Sequence, residues 1–180
     1  MRKLLLIASI FLSCFAIARL SAYAQFGPGF DSEGLHSVAL RAGDAMREWH
    51  KQHGSFPNLD QEVDEALKFV CEKVNGTPVS ATTQVTYTGS VHSIDNIRMC
   101  VDRSIRNAPI EQWKSRPPNT WTAPANSTVI LTDGKNEFLI WTSVISGTPM
   151  RDSNDKCKFV YGKLKPPQKE DADDSDVTDD

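Results

Sequence analysis

Two histidines three residues apart, His50 and His53, lie in the run AMREWHKQHGSFP (residues 45–57), with Glu48 beside them. At that spacing two imidazoles share one helix face, which is how many metal sites begin. Zinc needs three or four converging ligands. A metalloprotease helix would read His-Glu-x-x-His, its glutamate serving as base. This run offers two histidines without that glutamate, so no metal and no catalytic role is expected of it. It reads instead as a helix C-terminus. Lys51 and the histidines suit the negative end of the dipole. Gly54 supplies a left-handed cap, and Pro57 prevents continuation. The expectation for both histidines is a solvated last turn.

The other chemistry-bearing residues are scattered. A cysteine nucleophile would need a histidine such as His36 or His92 brought to it by the fold, and no local signature for such a site is present. No Gly-x-Ser-x-Gly run occurs, so the usual serine-hydrolase elbow is missing. No glycine-rich loop offers a phosphate cradle. Asp60, Glu62, Asp64 and Glu65 cluster, but they fall at the start of a helical pattern, where acids suit the dipole. Trp113, Trp121 and Trp141 could line a ligand surface; packing is their expected use. Asn75-Gly76-Thr77 and Asn126-Ser127-Thr128 match the N-glycosylation acceptor pattern, which arises often by chance. No catalytic residue and no cofactor is implied.

The N-terminus places the chain. Arg2 and Lys3 precede an apolar run from Leu4 to Ala18, and Ala22-Tyr23-Ala24 supplies small residues at a cleavage site. This pattern predicts a secretory signal peptide over 1–24, cut after Ala24 to leave Gln25 first, with a retained N-terminal anchor as the alternative. The apolar run is short of the roughly 20 residues that span a bilayer, and Arg19 interrupts it. No integral membrane span is therefore expected after cleavage. The protein is read as secreted or periplasmic, at the cell surface or in the medium. Residues 166–180 (PPQKEDADDSDVTDD) hold seven acids and one lysine. They cannot bury enough apolar surface to order themselves, so a disordered acidic tail is expected. The remaining 25–165 is one domain, with 16 acidic against 16 basic residues. It has no basic footprint of the kind phosphate backbones require, which argues against nucleic acid. Cys71, Cys100 and Cys157 survive cleavage. In an exported protein two of them are expected to pair, and the sequence does not choose among the three pairings.

The elements follow from periodicity. Leu35, Val38, Ala42, Ala45/Met46 and Trp49 recur at helical steps, predicting a helix over about 33–53. Val63, Ala66, Leu67, Val70, Cys71 and Val74 make the stripe of a second helix, which begins at Asn58 or Asp60 and ends at Asn75-Gly76. The short turn between them makes the helices neighbours, with Trp49 and Phe56 filling the junction. Val79 to Thr88 alternates and is rich in Thr and Val, predicting a strand. Residues 93–105 fit helix or strand, and Ser93 as a cap favours helix. Residues 106–126 form a Pro/Asn-rich connection. Ser127–Thr132, Glu137–Ser146 and Lys156–Leu164 read as strands, the first two joined by an Asp133-Gly134-Lys135-Asn136 hairpin turn. The fold class expected is α+β, two N-terminal helices packed on a C-terminal antiparallel β-meander.

The order of these pieces resembles the globular head of type IV pilins and type II secretion pseudopilins. There a helix commonly ends in an aromatic, a few polar residues, Gly, an aromatic and Pro, as in Trp49 to Pro57. A late Asp-Gly turn entering an antiparallel strand, here Asp133 to Trp141, is also common in those families. The likeness covers about a third of the mature chain. It departs at the N-terminus: Gly29-Phe30 is followed by polar sequence, Gly34 stands where those families carry a glutamate, and the filament-forming helix is missing. The resemblance implies a fold, structural roles for Trp49, Gly54, Phe56 and Pro57, and no enzyme activity. The function expected is an exported, non-enzymatic binding or interaction domain with protein partners in the envelope. The alternatives are a small secreted hydrolase without a recognisable motif, or a soluble inhibitor or ligand carrier, for which exposed Trp113 or Trp121 would be the sign.

Overall fold

The computed structural model describes residues 32–80 and 82–165. The signal peptide, the lead over 25–30 and the acidic tail expected from sequence lie outside the described residues. From Leu35 onward the described elements form one compact unit.

Helix α1 (Ser32–His53) and helix α2 (Asp60–Asn75) lie where their apolar stripes predict. In α2 the six stripe residues are the buried ones. Leu59 at its N-cap has no side-chain acceptor, so Glu62 reaches back and its carboxylate takes the backbone N–H of Asn58 at 2.8 Å and of Leu59 at 3.3 Å. Gly54 and Gly76 close the two helices at φ 78° and 69°, each donating its N–H to the carbonyl four residues back. Arg41 donates to the Val74 carbonyl, Lys73 pairs with Glu48, and Trp49 meets Phe69 edge-on. These contacts run in opposite sequence directions, so the helices are antiparallel neighbours.

Six strands form one sheet in the order β1 (Thr86–Thr88), β2 (Val91–Ile94), β3 (Ile97–Val101), β4 (Thr128–Thr132), β5 (Glu137–Thr142) and β6 (Phe159–Lys163). The fold is α+β, as expected, but the sheet is mixed. β3 and β4 run parallel, with Ile97 opposite Thr128 and Val101 opposite Thr132. The other neighbouring pairs are antiparallel, so the simple antiparallel meander is corrected. Parallel neighbours cannot be joined by a tight turn and need a crossover. Residues 102–127 make that crossover, carrying a 3-10 turn (Arg103–Ile105) and a short helix α3 (Ile110–Ser115).

The leaning toward helix for 93–105 is also corrected. Asp95, at φ 51°, turns the chain between Ile94 and Ile97, which pair across β2 and β3. Alternation then decides the faces. Ile97 and Met99 join the cluster beneath the helices, whereas Cys100 packs on the opposite side. The strand expected over 79–88 is reduced to Thr86–Thr88.

The sheet is covered on both sides. The first face carries Ile94, Ile97, Met99, Ile130, Phe138, Ile140 and Val160 against α1 and α2. Gly43 lets α1 approach β6 closely: a Cβ there would stand 2.8 Å from Val160 Cγ1. The second face carries Val129, Leu131, Leu139 and Trp141, covered by Ile105, Ile110, Trp113 and Trp121 of the crossover. Central strands buried on both faces read as continuous apolar runs, which is why STVILT and EFLIWT show no clear alternation.

The expected disulfide is not formed: Cys71, Cys100 and Cys157 are all free thiols. Cys71 packs under the helices and Cys100 on the far face, so the sheet stands between them. Cys157 lies before β6, three strand spacings of roughly 4.8 Å from β3. A disulfide needs its two Cα atoms within about 7 Å.

Candidate functional site

The run around His50 and the late Asp-Gly turn meet, although about 80 residues separate them. The Phe56 backbone N–H donates to the Lys135 carbonyl at 2.9 Å. The Thr132 hydroxyl donates to the Pro57 carbonyl at 3.2 Å. Phe56, 1% exposed, stands edge-on to Phe138 with ring centres 5.4 Å apart. His50 is 4% exposed, 4.9 Å from the Phe56 ring, with Nε2 3.4 Å from Asn136 Oδ1. The solvated turn expected for both histidines therefore holds only for His53, which stays exposed while stacking on Trp49 at 3.8 Å. Its Nδ1 sits 3.0 Å from the Trp49 carbonyl. The two histidines turn to different partners and do not converge on one point. Phe56 and Pro57 thus stand at a packed junction between the run and the turn, while Trp49 packs on His53 and on Phe69 of α2 and Gly54 closes α1.

Asp133 organises the turn side of this junction. It is 3% exposed, and its Oδ1 accepts the backbone N–H groups of Lys135, Asn136 and Glu137 at 2.8–2.9 Å. Oδ2 takes the Arg106 guanidinium at 3.2 Å. Burial opposes its ionisation. The Glu137 and Lys135 N–H groups, the Arg106 side chain and the Asn136 N–H outweigh that cost and hold its pKa below the usual carboxylate value. Glu137 follows the same logic. Burial again opposes charge, and Lys163, the Tyr161 hydroxyl and the Asn107 N–H overcome it. Burial, with the Glu137 hydrogen bond, pushes the Tyr161 phenol up to about 12.

Two open clefts border this junction. The first, about 430 Å3, is lined by Asn58, Asp60, Ser90, His92, Asp102 and Arg103. His92 on β2 is 3% exposed. Its Nδ1 lies 2.7 Å from Asp64 and its Nε2 3.5 Å from Asp60, both carboxylates coming from the first turns of α2. The Tyr87 hydroxyl donates to the other Asp64 oxygen at 2.7 Å, and the Tyr87 ring stands edge-on to the imidazole. Leu59 and Tyr87 are 63% and 59% exposed. The sequence alone leaves His92 without a partner and gives Asp64 only a dipole role. Their meeting depends on packing α2 against β2, which no local motif announces.

The second cleft, about 570 Å3, is lined by Arg106, Asp133, Lys135, Glu137, Lys163 and Lys165 among others. Arg106 and Lys163 are each bridged to a buried carboxylate, Asp133 and Glu137. The remaining candidates are structural in placement. Trp121 and Trp141 stack at 5.8 Å with Trp113 edge-on to Trp121, anchoring the crossover. Burial raises all three thiols, Cys71 to about 12 and Cys100 to about 11, so they are protonated and weakly nucleophilic near neutral pH. His92 is held by Asp64 rather than by a cysteine. Among the described residues no helix is long and apolar enough to cross a membrane.

No protein family, no curated protein and no solved structure matches this chain.

Proposed function

We propose that the chain is an exported, non-enzymatic domain with a pilin-like head, acting as a binding or interaction module in the cell envelope or the surrounding medium. The observation that carries this reading is the junction. The two stretches that resemble pilin heads, Trp49–Pro57 and Asp133–Trp141, are joined by the Phe56–Lys135 and Thr132–Pro57 hydrogen bonds. Contact between the two stretches that carry the resemblance supports the reading. The mixed sheet departs from the antiparallel sheet the resemblance implies. The export part rests on the cleavable pattern of residues 1–24.

A second reading, the small secreted hydrolase, draws on one specific observation: an aspartate-held histidine beside a cleft that Ser90 also lines. A general base must face the proton it takes. Here carboxylates face both ring nitrogens, which favours the binding reading.

Intact mass of the protein from its own cells tests the first reading. A chain starting at Gln25, found in the envelope or medium, is expected. A full-length chain confined to the cytoplasm overturns export. Turnover of ester, peptide or glycoside substrates that disappears in His92→Gln overturns the non-enzymatic part and selects the second reading.

A further inference from the structure

The second cleft contains an arrangement that the junction does not use up. Four cations, Arg106, Lys135, Lys163 and Lys165, face two carboxylates, Asp133 and Glu137. The two carboxylates are already committed to Arg106 and Lys163. Lys135 and Lys165 are exposed and pair with no carboxylate among the described residues. The cleft therefore has a net positive wall on a rigid frame, since the Asp133 and Glu137 networks hold the turn and β6 in place. The Lys135, Asn136 and Glu137 N–H groups are spent on Asp133 Oδ1, and that of Gly134 on the Thr132 hydroxyl. An anion entering the cleft is met by ammonium and guanidinium groups and not by a backbone cradle. Such a site takes carboxylates in series and cares little for their order.

Immediately after Lys165 come fifteen residues with seven carboxylates and one lysine. The first acid, Glu170, is five residues on, a reach of up to roughly 17 Å at full extension. That is ample to cross the cleft that Lys165 itself lines. Tethering raises the effective concentration of a ligand to the millimolar range for a short linker.

We propose that the basic cleft is a docking site for an acidic peptide segment, and that its resident occupant is residues 166–180 of the same chain. The acids of the tail pair with Lys135, Lys165 and the outer faces of Arg106 and Lys163. Any other acidic segment that binds there must displace the tail first. The inference stands on the charges of the cleft and does not depend on the pilin-like reading.

Zero-length carbodiimide coupling of the full chain tests it, since an amide forms only where an amine touches a carboxylate. Lys135 is the informative amine, because Lys163 and Lys165 are close to the tail by chain connectivity alone. Lys51 and Lys68, exposed on α1 and α2, set the background. The expected result at low salt is coupling of Lys135 to tail acids roughly tenfold above Lys51 and Lys68, as tethered contact predicts. It should fall to background at about 1 M salt, where the screening length is about 3 Å. An equal mixture of heavy-isotope-labelled and unlabelled chains must give links within one copy. Asp173→Asn, Asp174→Asn and Asp176→Asn together, which leave the folded unit untouched, should lower the yield and shift the Lys135 and Asn136 amide resonances. Lys135 coupling no better than the background lysines, or links mainly between two copies, overturns the proposal.

Discussion

Replacing Asp133 by alanine removes one acceptor that serves three backbone N–H groups and a guanidinium. A hydrogen bond to a charged group contributes about 1.5–3 kcal/mol. Three summed independently would overshoot, because they share one oxygen and water can reach the freed turn. The Arg106 bridge adds little, since its cation is 47% exposed and an exposed pair is worth about 0–1 kcal/mol. The expected loss is about 3–4 kcal/mol, close to that for breaking a buried charged pair. Asp133→Asn keeps an acceptor but loses the charge and turns an amide N–H toward Arg106, so about half that loss is expected. The pH dependence supplies the sharper test. The folded pKa of Asp133 lies below its unfolded value. Its contribution is therefore complete above about pH 4, the unfolded range, and disappears as pH falls through the lower folded pKa. Urea unfolding of wild type and Asp133→Ala from pH 7 downward should show a constant gap to about pH 4 that then narrows. A gap under about 1 kcal/mol at pH 7, or one that does not narrow in acid, refutes the assigned role of the carboxylate.

The same structure carries further predictions. Phe56→Ala should cost about 3–5 kcal/mol in urea unfolding, the usual cost of truncating a core aromatic; a cost under ~1 kcal/mol would mean that Phe56 does not fill the junction. His50→Ala should cost about 1–3 kcal/mol because His50 is buried against Phe56, whereas the exposed His53→Ala should cost under about 1 kcal/mol, and equal costs would contradict their different surroundings. In Gly162→Ala the new Cβ would collide with the Phe138 ring at Cε1, so a loss of at least about 1–3 kcal/mol is expected. Phe138→Leu should relieve part of it, which a double-mutant cycle reads as non-additivity. Thiol alkylation at pH 8 should be slow at Cys71 and Cys100 in the folded protein and complete in urea, because burial holds these thiols protonated to about 12 and about 11; fast labelling of the native protein would contradict that burial.

Both helices are legible in the sequence because their information is local. A stripe such as Val63, Ala66, Leu67, Val70, Cys71 and Val74 has the helical period within sixteen residues, and Gly54 and Gly76 mark their own conformations. The Asp133-Gly134 turn is legible for the same reason, as is the use of the Trp113 and Trp121 segment as a connection. The β2–β3 hairpin is not, because Ile94, Ile97 and Val101 fit a helical period as well as strands, and Asp95-Asn96 is a weaker turn signal than Asn-Gly. The segment before it alternates like a strand but is mostly irregular, pairing only over Thr86–Thr88.

What the chain determined by itself was everything set by neighbours along it: helix stripes, caps, turns, charge balance and the acidic run after Lys165. What only the tertiary structure decided was which distant groups share a place. The parallel pairing of β3 with β4 sends 102–127 across the second face of the sheet and brings Arg106 to Asp133. Packing α2 on β2 puts Asp64 against His92. These juxtapositions come from burying two apolar faces of one sheet at once. Burial is a free energy of the whole assembly, and no short window of sequence contains it.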